Sequence, residues 1–85
     1  LDERDQMLMA QTFEFTMENA PTNHKAQWEN PDTGHGGSVT PTKTFQTTEG
    51  TPCREFTTTV SIGGESEQAY GTACRQADGS WKIQE

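Results

Sequence analysis

The sequence predicts an α+β domain in which one N-terminal helix packs on a four- to five-stranded antiparallel β-meander. Residues 1–20 contain neither glycine nor proline and place their apolar side chains at helical spacing. From His24 onwards the pattern becomes strand-like and is interrupted by turns that contain glycine. Cys53 and Cys74 lie at equal distances before and after the pair Gly63-Gly64, which predicts a disulfide across one hairpin between strands 3 and 4.

The composition makes that disulfide important for stability. The chain has 85 residues and a formal net charge of −7, and Leu, Ile, Val and Phe together occupy ten positions. A single domain of this size and composition has a weak core, so we expect the disulfide to supply much of its stability. Disulfides persist in oxidising compartments, which predicts a periplasmic, cell-surface or extracellular location. The alternative is a pair of reduced, buried cysteines in a cytosolic protein.

The charge excludes two classes of partner. The chain has 13 acidic residues against 6 lysines and arginines, and the basic residues are scattered rather than clustered. Nucleic acid and anionic membrane surfaces both require a basic face, so neither is an expected partner. No apolar run is long enough to span a membrane, and no signal peptide is present. We therefore expect an excised domain whose only membrane attachment would be an N-terminal anchor absent from this chain.

The helix is predicted over residues 1–20. Acidic side chains near its start favour the N-terminus of a helix, and Pro21 ends it. Its apolar residues form two stripes, and one interpretation is that both pack in the core. The other is that the second stripe contacts a second subunit or a partner protein. The first stripe is Leu1, Leu8 and Phe15, and the second is Met9, Phe13 and Met17.

Five strands follow, separated by turn sequences rich in glycine, proline, asparagine and aspartate. The turns are predicted at 30–34, Glu49-Gly50, Gly63-Gly64 and 77–79. The predicted strands are 24–29, 38–47, 51–62, 65–76 and 80–84.

The turns also predict which residues face each other. A two-residue turn at Gly63-Gly64 places Cys53 opposite Cys74 at a non-hydrogen-bonded site, with Cα atoms about 4.5 Å apart. A two-residue turn at Glu49-Gly50 would pair Phe45 with Arg54 and Val39 with Val60. Pro41 cannot donate to a ladder, so we expect either partial pairing or a bulge there. At the last hairpin we predict a three-residue loop with Gly79 in the left-handed region, because this places Trp81 and Ile83 on the apolar face.

The predicted register separates an apolar face from a face rich in threonine. The chain has fourteen threonines, well above the usual share. The predicted apolar face consists of Val39, Phe45, Phe56, Val60, Ile62, Ala69, Gly71 and Ala73. The opposite side, here called the threonine face, consists of Thr57, Thr59, Ser61, Ser66, Gln68, Tyr70, Thr72 and the disulfide.

The threonine face is the most promising candidate surface for function. Thr57, Thr59 and Thr72 with Tyr70 form a flat polar plane that could hydrogen-bond a sugar or another strand. The alternative is that β-branched polar residues merely suit exposed strands. The second helix stripe, Met9, Phe13 and Met17, is the other possible interaction surface.

The remaining polar residues predict no catalytic residue, no cofactor and no metal site. His24 and His35 have no second ligand at metal-binding spacing, and His35-Gly36-Gly37 is expected to be a solvated loop. A histidine against a buried carboxylate would overturn this non-enzymatic interpretation. We expect Glu65 and Glu67 to be solubilising charges. We expect Arg54 and Arg75 to form salt bridges to Glu55 or backbone contacts, with anion binding as the alternative.

Several segments together resemble a known family. The chain is similar to the C-terminal domain of the rickettsial seventeen-kilodalton surface antigen family and related bacterial outer-membrane surface lipoproteins. The similarity covers about residues 28–83. The segments are Asn30-Pro31-Asp32-Thr33-Gly34, Val39-Thr40-Pro41-Thr42 with Phe45, Cys53-Arg54-Glu55-Phe56, and residues 69–83, which include Cys74-Arg75 and Asp78-Gly79-Ser80-Trp81.

The resemblance implies a location rather than a catalytic activity. Members of the family typically carry a signal peptide, a lipidated cysteine and often a glycine-zipper segment before this domain. We therefore expect a non-enzymatic domain in the outer membrane, the periplasm or at the cell surface, with a structural or protein-interaction role. Its expected partners are envelope proteins or a second copy of itself. The alternative is a secreted or periplasmic hydrolase inhibitor that inserts the segment from Pro31 to Gly37 into a cleft.

Overall fold

The computed structural model describes residues 1–84 and confirms the predicted fold class. One helix is followed by five strands that form a single antiparallel sheet in the order β1-β2-β3-β4-β5. Each strand therefore lies beside its neighbour in sequence. The elements are α1 (Glu3–Asn19), β1 (Ala26–Asn30), β2 (His35–Gln46), β3 (Pro52–Ile62), β4 (Glu65–Arg75) and β5 (Trp81–Gln84).

Side chains define both ends of α1. At its start, the Asp2 side chain accepts a hydrogen bond from the Asp5 amide at 2.8 Å, and the Asp5 carboxylate accepts one from the Asp2 amide at 3.1 Å. This reciprocal capping box satisfies two amides that the helix leaves unpaired. At its end, the Ala20 amide donates to the Thr16 carbonyl at 2.9 Å. Pro21 follows and cannot continue the helix. Within the part of the chain that the structure describes, no helix has the length and apolarity that a membrane crossing requires.

The hairpin of β3 and β4 has the predicted register. Ile62 lies opposite Glu65 and Cys53 lies opposite Cys74, where a disulfide joins them with their Cα atoms 4.0 Å apart. The two cysteines therefore connect the central strand of the sheet to its neighbour.

The predicted pairing of β2 with β3 is wrong. Phe45 lies opposite Cys53 rather than Arg54, and Val39 lies opposite Thr58 rather than Val60. The connecting loop is longer than the predicted two residues, since the last pair before it is Gln46 with Pro52. In addition, the register shifts between Pro41 and Lys43. This shift is the bulge that was one of two predicted ways to accommodate Pro41.

The bulge changes the side of the sheet on which Phe45 lies. Because facing residues share one side of a sheet, Phe45 lies with Cys53 on the threonine face instead of the apolar face. Val39 keeps its predicted side and is 1% exposed.

The core lies between α1 and the sheet. Phe56 contacts Phe13 edge-on, with the ring centroids 5.1 Å apart. Gly71 leaves the space that Phe56 needs, because a Cβ atom at position 71 would lie 2.7 Å from its ring. Ile62 and Ile83 are 44% and 53% exposed, so the apolar face is covered only in part. The buried apolar cluster is Met17, Val39, Phe56, Ala73 and Trp81.

The last hairpin confirms the prediction of a three-residue loop. The Gln76 amide donates to the Ser80 carbonyl at 2.7 Å, and Gly79 has a φ of 90°. This φ favours glycine. Trp81 then lies opposite Arg75 and is buried on the helix side, as predicted.

The prediction of a solvated loop at His35-Gly36-Gly37 is wrong. These residues begin β2, where His35 pairs with Asn30 and Gly37 pairs with Trp28. The first strand was predicted at 24–29 and the second from Ser38, whereas β1 ends at Asn30 and β2 starts at His35. Residues 31–34 form the turn and 35–37 belong to β2, so the whole segment proposed for insertion into a cleft is a tight turn or part of the sheet.

Candidate interaction surface and the Asp5 cluster

The Asp5 carboxylate is fully buried at the N-terminal end of α1, where it accepts four hydrogen bonds. Besides the Asp2 amide, the donors are Asn30 Nδ2 at 2.8 Å, Thr33 Oγ1 at 2.9 Å and His35 Nδ1 at 2.7 Å. We call Asp5, Asn30, Thr33 and His35 the Asp5 cluster. Three of its members lie in or beside the turn between β1 and β2, so the cluster fastens the start of α1 to that turn.

The hydrogen bonds decide the charge of Asp5. Burial alone raises the pKa of a carboxyl group because it disfavours the charged form. Here the hydrogen bonds from His35, Asn30, the Asp2 amide and Thr33 outweigh burial and hold the Asp5 pKa well below its usual range. The carboxylate is therefore ionised and can only accept hydrogen bonds, so His35 Nδ1 must carry the proton that they share.

His35 lies against the buried Asp5 carboxylate, which is the arrangement named above as overturning the non-enzymatic interpretation, so its surroundings matter. A catalytic dyad presents the second ring nitrogen of the histidine to a nucleophile or a substrate. No hydrogen bond to His35 Nε2 is present within residues 1–84, and neither His35 nor Asp5 lines the larger surface cavity described below. His35 points to the helix side of the sheet, and its neighbour Gly36 lies on the opposite side. The hydrogen bond joins α1 to the start of β2, and the His35 side chain remains 24% exposed.

Arg54 and Arg75 lie at the other end of α1. Arg54 is 6% exposed and donates from Nη1 to the carbonyls of Thr16 and Met17 at 3.1 and 3.0 Å. These are carbonyls of the last helical turn, where a positive charge is favourable. Burial lowers the pKa of Arg54, although arginine remains charged. The backbone contacts that were one prediction for Arg54 are thus confirmed.

Glu18 joins the C-terminal turn of α1 to the last hairpin. Its Oε1 atom accepts from Arg75 Nε at 2.9 Å and from Trp81 Nε1 at 3.0 Å. These two hydrogen bonds lower the pKa of Glu18. Arg75 thus pairs with Glu18 and not with the predicted Glu55. The Oε2 atom of Glu55 lies 4.0 Å from Lys43 Nζ instead. Both ends of the helix are consequently held to the sheet by polar contacts, and the small apolar core lies between them.

The second helix stripe is mainly core in the single chain. Met17 is 1% exposed, Phe13 packs against the buried cluster, and Met9 is half-buried. The interpretation that both stripes pack in the core is wrong for the first stripe, since Phe15 is 65% and Leu1 44% exposed; Met7 is also 52% exposed. No contact in the structure shows what would cover them.

The threonine face is the side of the sheet that α1 does not cover. The register places Thr57 opposite Tyr70 and Thr59 opposite Gln68, as predicted. β2 adds Thr40 opposite Thr57 and Ser38 opposite Thr59. The side chain of Tyr70 is 76% exposed.

A cavity of about 570 Å³ opens on the threonine face. Ser38 and Thr59 lie within it and share a hydrogen bond of 2.6 Å between their hydroxyl groups. Most of the lining is hydroxyl or amide side chains and glycine backbone, and we call it the hydroxyl cavity. It is lined by Lys25, Gln27, Trp28, Glu29, Gly34, Gly36, Gly37, Ser38, Thr40, Thr57, Thr59, Ser61 and Gln68.

Half of β4 has an unpaired outer edge. β5 pairs with β4 only from Thr72 to Arg75, so within residues 1–84 no strand covers the outer side of Glu65–Gly71. In the register of this hairpin, the backbone groups of Ser66, Gln68 and Tyr70 point away from β3. The predicted last strand, 80–84, is almost the observed one, so the predicted register already leaves this edge open, although it was not named as a candidate surface.

Together these features define a class of protein. The chain is a small α+β domain with a disulfide, and within residues 1–84 it has no cluster of three or more potential metal-binding side chains. Such disulfide-bonded domains belong to oxidising compartments. The comparisons identify the particular family: the 17 kDa outer membrane surface antigen family matches residues 16–82, and the chain belongs to it.

The similarity to curated members extends over nearly the whole chain. The chain is 47% identical to the 17 kDa surface antigens of Rickettsia bellii and Rickettsia rickettsii over 83 residues, which is 98% of this chain and 52% of each relative. It is 46% identical to that of Rickettsia prowazekii over 82 residues, 96% of this chain and 52% of the relative. The chain thus spans about half the length of these curated relatives. No solved structure matches it. The family name points to the surface of the bacterial envelope.

Proposed function

We propose that this chain is a non-enzymatic domain of an outer-membrane surface lipoprotein that binds other envelope proteins through the outer edge of β4. The observation that carries the proposal is the unpaired edge at Ser66, Gln68 and Tyr70. Each of these residues offers one N–H and one C=O group, so an extended segment could add a strand there. The family name supports the location, since relatives are surface antigens.

Charge favours one kind of occupant. Glu65 and Glu67 lie on this edge, and the chain has a net charge of −7. A second copy would bring the same acidic residues together, whereas an extended segment that carries lysine or arginine would complement them. Acidic residues on an open edge also suppress unspecific strand pairing. The expected partner is therefore a basic, extended segment of another envelope protein.

The Asp5 cluster is the one feature that favours an enzyme, since its histidine lies against a buried carboxylate; the proposal remains non-enzymatic because no third catalytic group joins the pair within residues 1–84. The one buried carboxylate of the cluster is saturated with hydrogen bonds, and the histidine faces the helix side of the sheet. Replacing His35 with Asn should therefore lower the stability of the domain, because the hydrogen bond to Asp5 is lost.

Two variants of one residue test the edge. Gln68→Pro removes the outward N–H group of Gln68, and Gln68→Ala removes the side chain while it keeps that group. The oxidised domain is used as bait in a cross-linking pull-down from bacterial envelope extract. We expect wild type and Gln68→Ala to capture the same envelope protein and Gln68→Pro to lose it.

The folded state of each bait is checked by its circular dichroism spectrum, so that loss of capture is not loss of fold. Equal capture by both variants would contradict strand addition at β4. Recovery of the domain itself as the main product would show self-association instead of a basic partner.

A further inference from the structure

We propose that the hydroxyl cavity binds a neutral glycan, with Tyr70 as the stacking ring at its rim. This inference does not rest on strand addition at β4: the cavity uses side chains on a face of the sheet, whereas strand addition uses the backbone of its edge, although Gln68 and Tyr70 belong to both. It assigns a ligand class to a surface for which neither the family name nor the relatives' names give one.

The lining of the cavity favours a ligand with many hydroxyl groups. Ligand pockets typically have volumes of about 300–1,000 Å³ and are mostly apolar. The hydroxyl cavity has a suitable volume of about 570 Å³ but a different lining. Its neutral polar side chains are Gln27, Ser38, Thr40, Thr57, Thr59, Ser61 and Gln68.

Some of these groups are already paired, and others are available to a ligand. Ser38 and Thr59 hydrogen-bond each other, and Ser61 bonds Ser66 at 2.8 Å. In the described part of the chain, Thr40 and Thr57 make no side-chain hydrogen bond, although they face each other across β2 and β3. A hydroxyl can both donate and accept, which suits the alternating donors and acceptors of a sugar.

Charge at the rim favours a neutral ligand. Lys25 and Glu29 line the cavity along with Gln27, and their charges are opposite. An anionic glycan would meet the Glu29 carboxylate, and a cationic ligand would meet the Lys25 ammonium. A neutral glycan is repelled by neither of these two charges.

Tyr70 supplies an exposed aromatic ring beside the cavity, whose own aromatic residue, Trp28, is buried. Tyr70 lies directly opposite Thr57 on the same face, and its ring is 76% exposed. Its hydroxyl donates to Gln68 Oε1 at 3.2 Å, which holds the ring beside a cavity residue. An exposed ring beside hydroxyl groups can stack on the C–H face of a sugar while those groups bind its hydroxyls.

The test is a titration of the oxidised domain with two probes, cellohexaose and chitohexaose, followed by amide NMR spectra and calorimetry. We expect saturable shifts confined to the cavity residues and Tyr70. If both probes bind, the cavity recognises a sugar chain without N-acetyl groups. If only chitohexaose binds, the ligand must carry N-acetyl groups.

Variants decide whether the cavity is the site. Thr57→Val keeps the shape and strand preference of the side chain but removes its hydroxyl, and Tyr70→Ala removes the ring. We expect affinity to fall about threefold to tenfold for Thr57→Val and about tenfold for Tyr70→Ala. Thr48→Val, in the exposed loop between β2 and β3, is the matched control and should bind as wild type.

Two results would overturn the proposal. One is the absence of any shift at millimolar concentrations of either probe with the folded wild-type domain. The other is a set of shifts that lies outside the cavity or that is unchanged by both variants.

Discussion

Removal of the disulfide is the perturbation whose magnitude follows most directly from the structure. The Cys53→Ala, Cys74→Ala variant opens a bridge between residues separated by 21 positions. In the chain-entropy model, a closed loop of this length contributes about 3.4 kcal/mol at 25 °C. Small domains have a total free energy of unfolding of only about 5 kcal/mol. The double variant should therefore retain little of its stability.

Urea unfolding followed by circular dichroism measures this loss. We expect the free energy of unfolding to fall by about 3 kcal/mol. The melting temperature should then fall by about 15–25 °C, because each kcal/mol shifts the melting temperature of a domain of this size by about 4–8 °C. The control is Ser61→Ala, Ser66→Ala, which removes an exposed cross-strand hydrogen bond of the same hairpin. It should cost less than about 1 kcal/mol. A cysteine variant that melted like wild type would show that the disulfide does not compensate for a weak core.

Three further predictions concern the contacts at the two ends of α1. Asp5→Ala leaves buried donors without an acceptor and should lower the melting temperature by about 10 °C, whereas Asp32→Ala, at an exposed turn position, should leave it unchanged. The folded-state pKa of Asp5 is lowered, so its contribution to stability is present above the ordinary pKa of 3.8 and is lost as the pH falls below it. Urea titrations from pH 6 to pH 2 should show this decline in wild type and a flatter profile in Asp5→Asn; identical profiles would contradict the assigned charge. Arg54→Met removes two hydrogen bonds to the end of the helix and should cost about 2 kcal/mol in urea unfolding, while Lys82→Met should have little effect; equal losses would contradict this capping role.

The parts of the fold that sequence predicts well are those determined by turn geometry. Gly63-Gly64 forms a two-residue turn. Cys53 and Cys74 lie equally far from it along the two strands, so their position opposite each other could be predicted. At the last hairpin, the need to keep Trp81 on the apolar side selected the correct loop. The helix followed from its apolar spacing and from Pro21.

The errors arise where several conformations suit the same residues. Glu49-Gly50 is compatible with a two-residue turn, but the chain forms a longer loop in which the Thr47 amide donates to the Thr51 carbonyl at 3.0 Å. The bulge after Pro41 then exchanges the sides of the following residues, which moved Phe45 to the threonine face. The longer loop and the bulge each suit the residues that form them. The register that they produce together does not follow from the spacing of apolar residues.

The Asp5 cluster was missed for a different physical reason. Buried polar residues follow no periodicity, because each is accommodated by particular partners rather than by a face. Asp5 reads as a favourable charge at a helix start, and Asn30 and Thr33 read as ordinary turn residues. Only the packing of the helix end on the turn brings the three together with His35. The same holds for the hydroxyl cavity, whose depth depends on the glycines of β2 beside the threonines of β3.

The central claim is that the outer edge of β4 is open in the free domain and is where a partner binds. Amide hydrogen exchange measured by NMR tests it residue by residue. In the free oxidised domain, we expect slow exchange at Glu67 and Ala69 and fast exchange at Ser66, Gln68 and Tyr70, which should become slow when the captured envelope protein is added. Slow exchange at all five amides in the free domain, or no change on addition of that protein, would contradict the account.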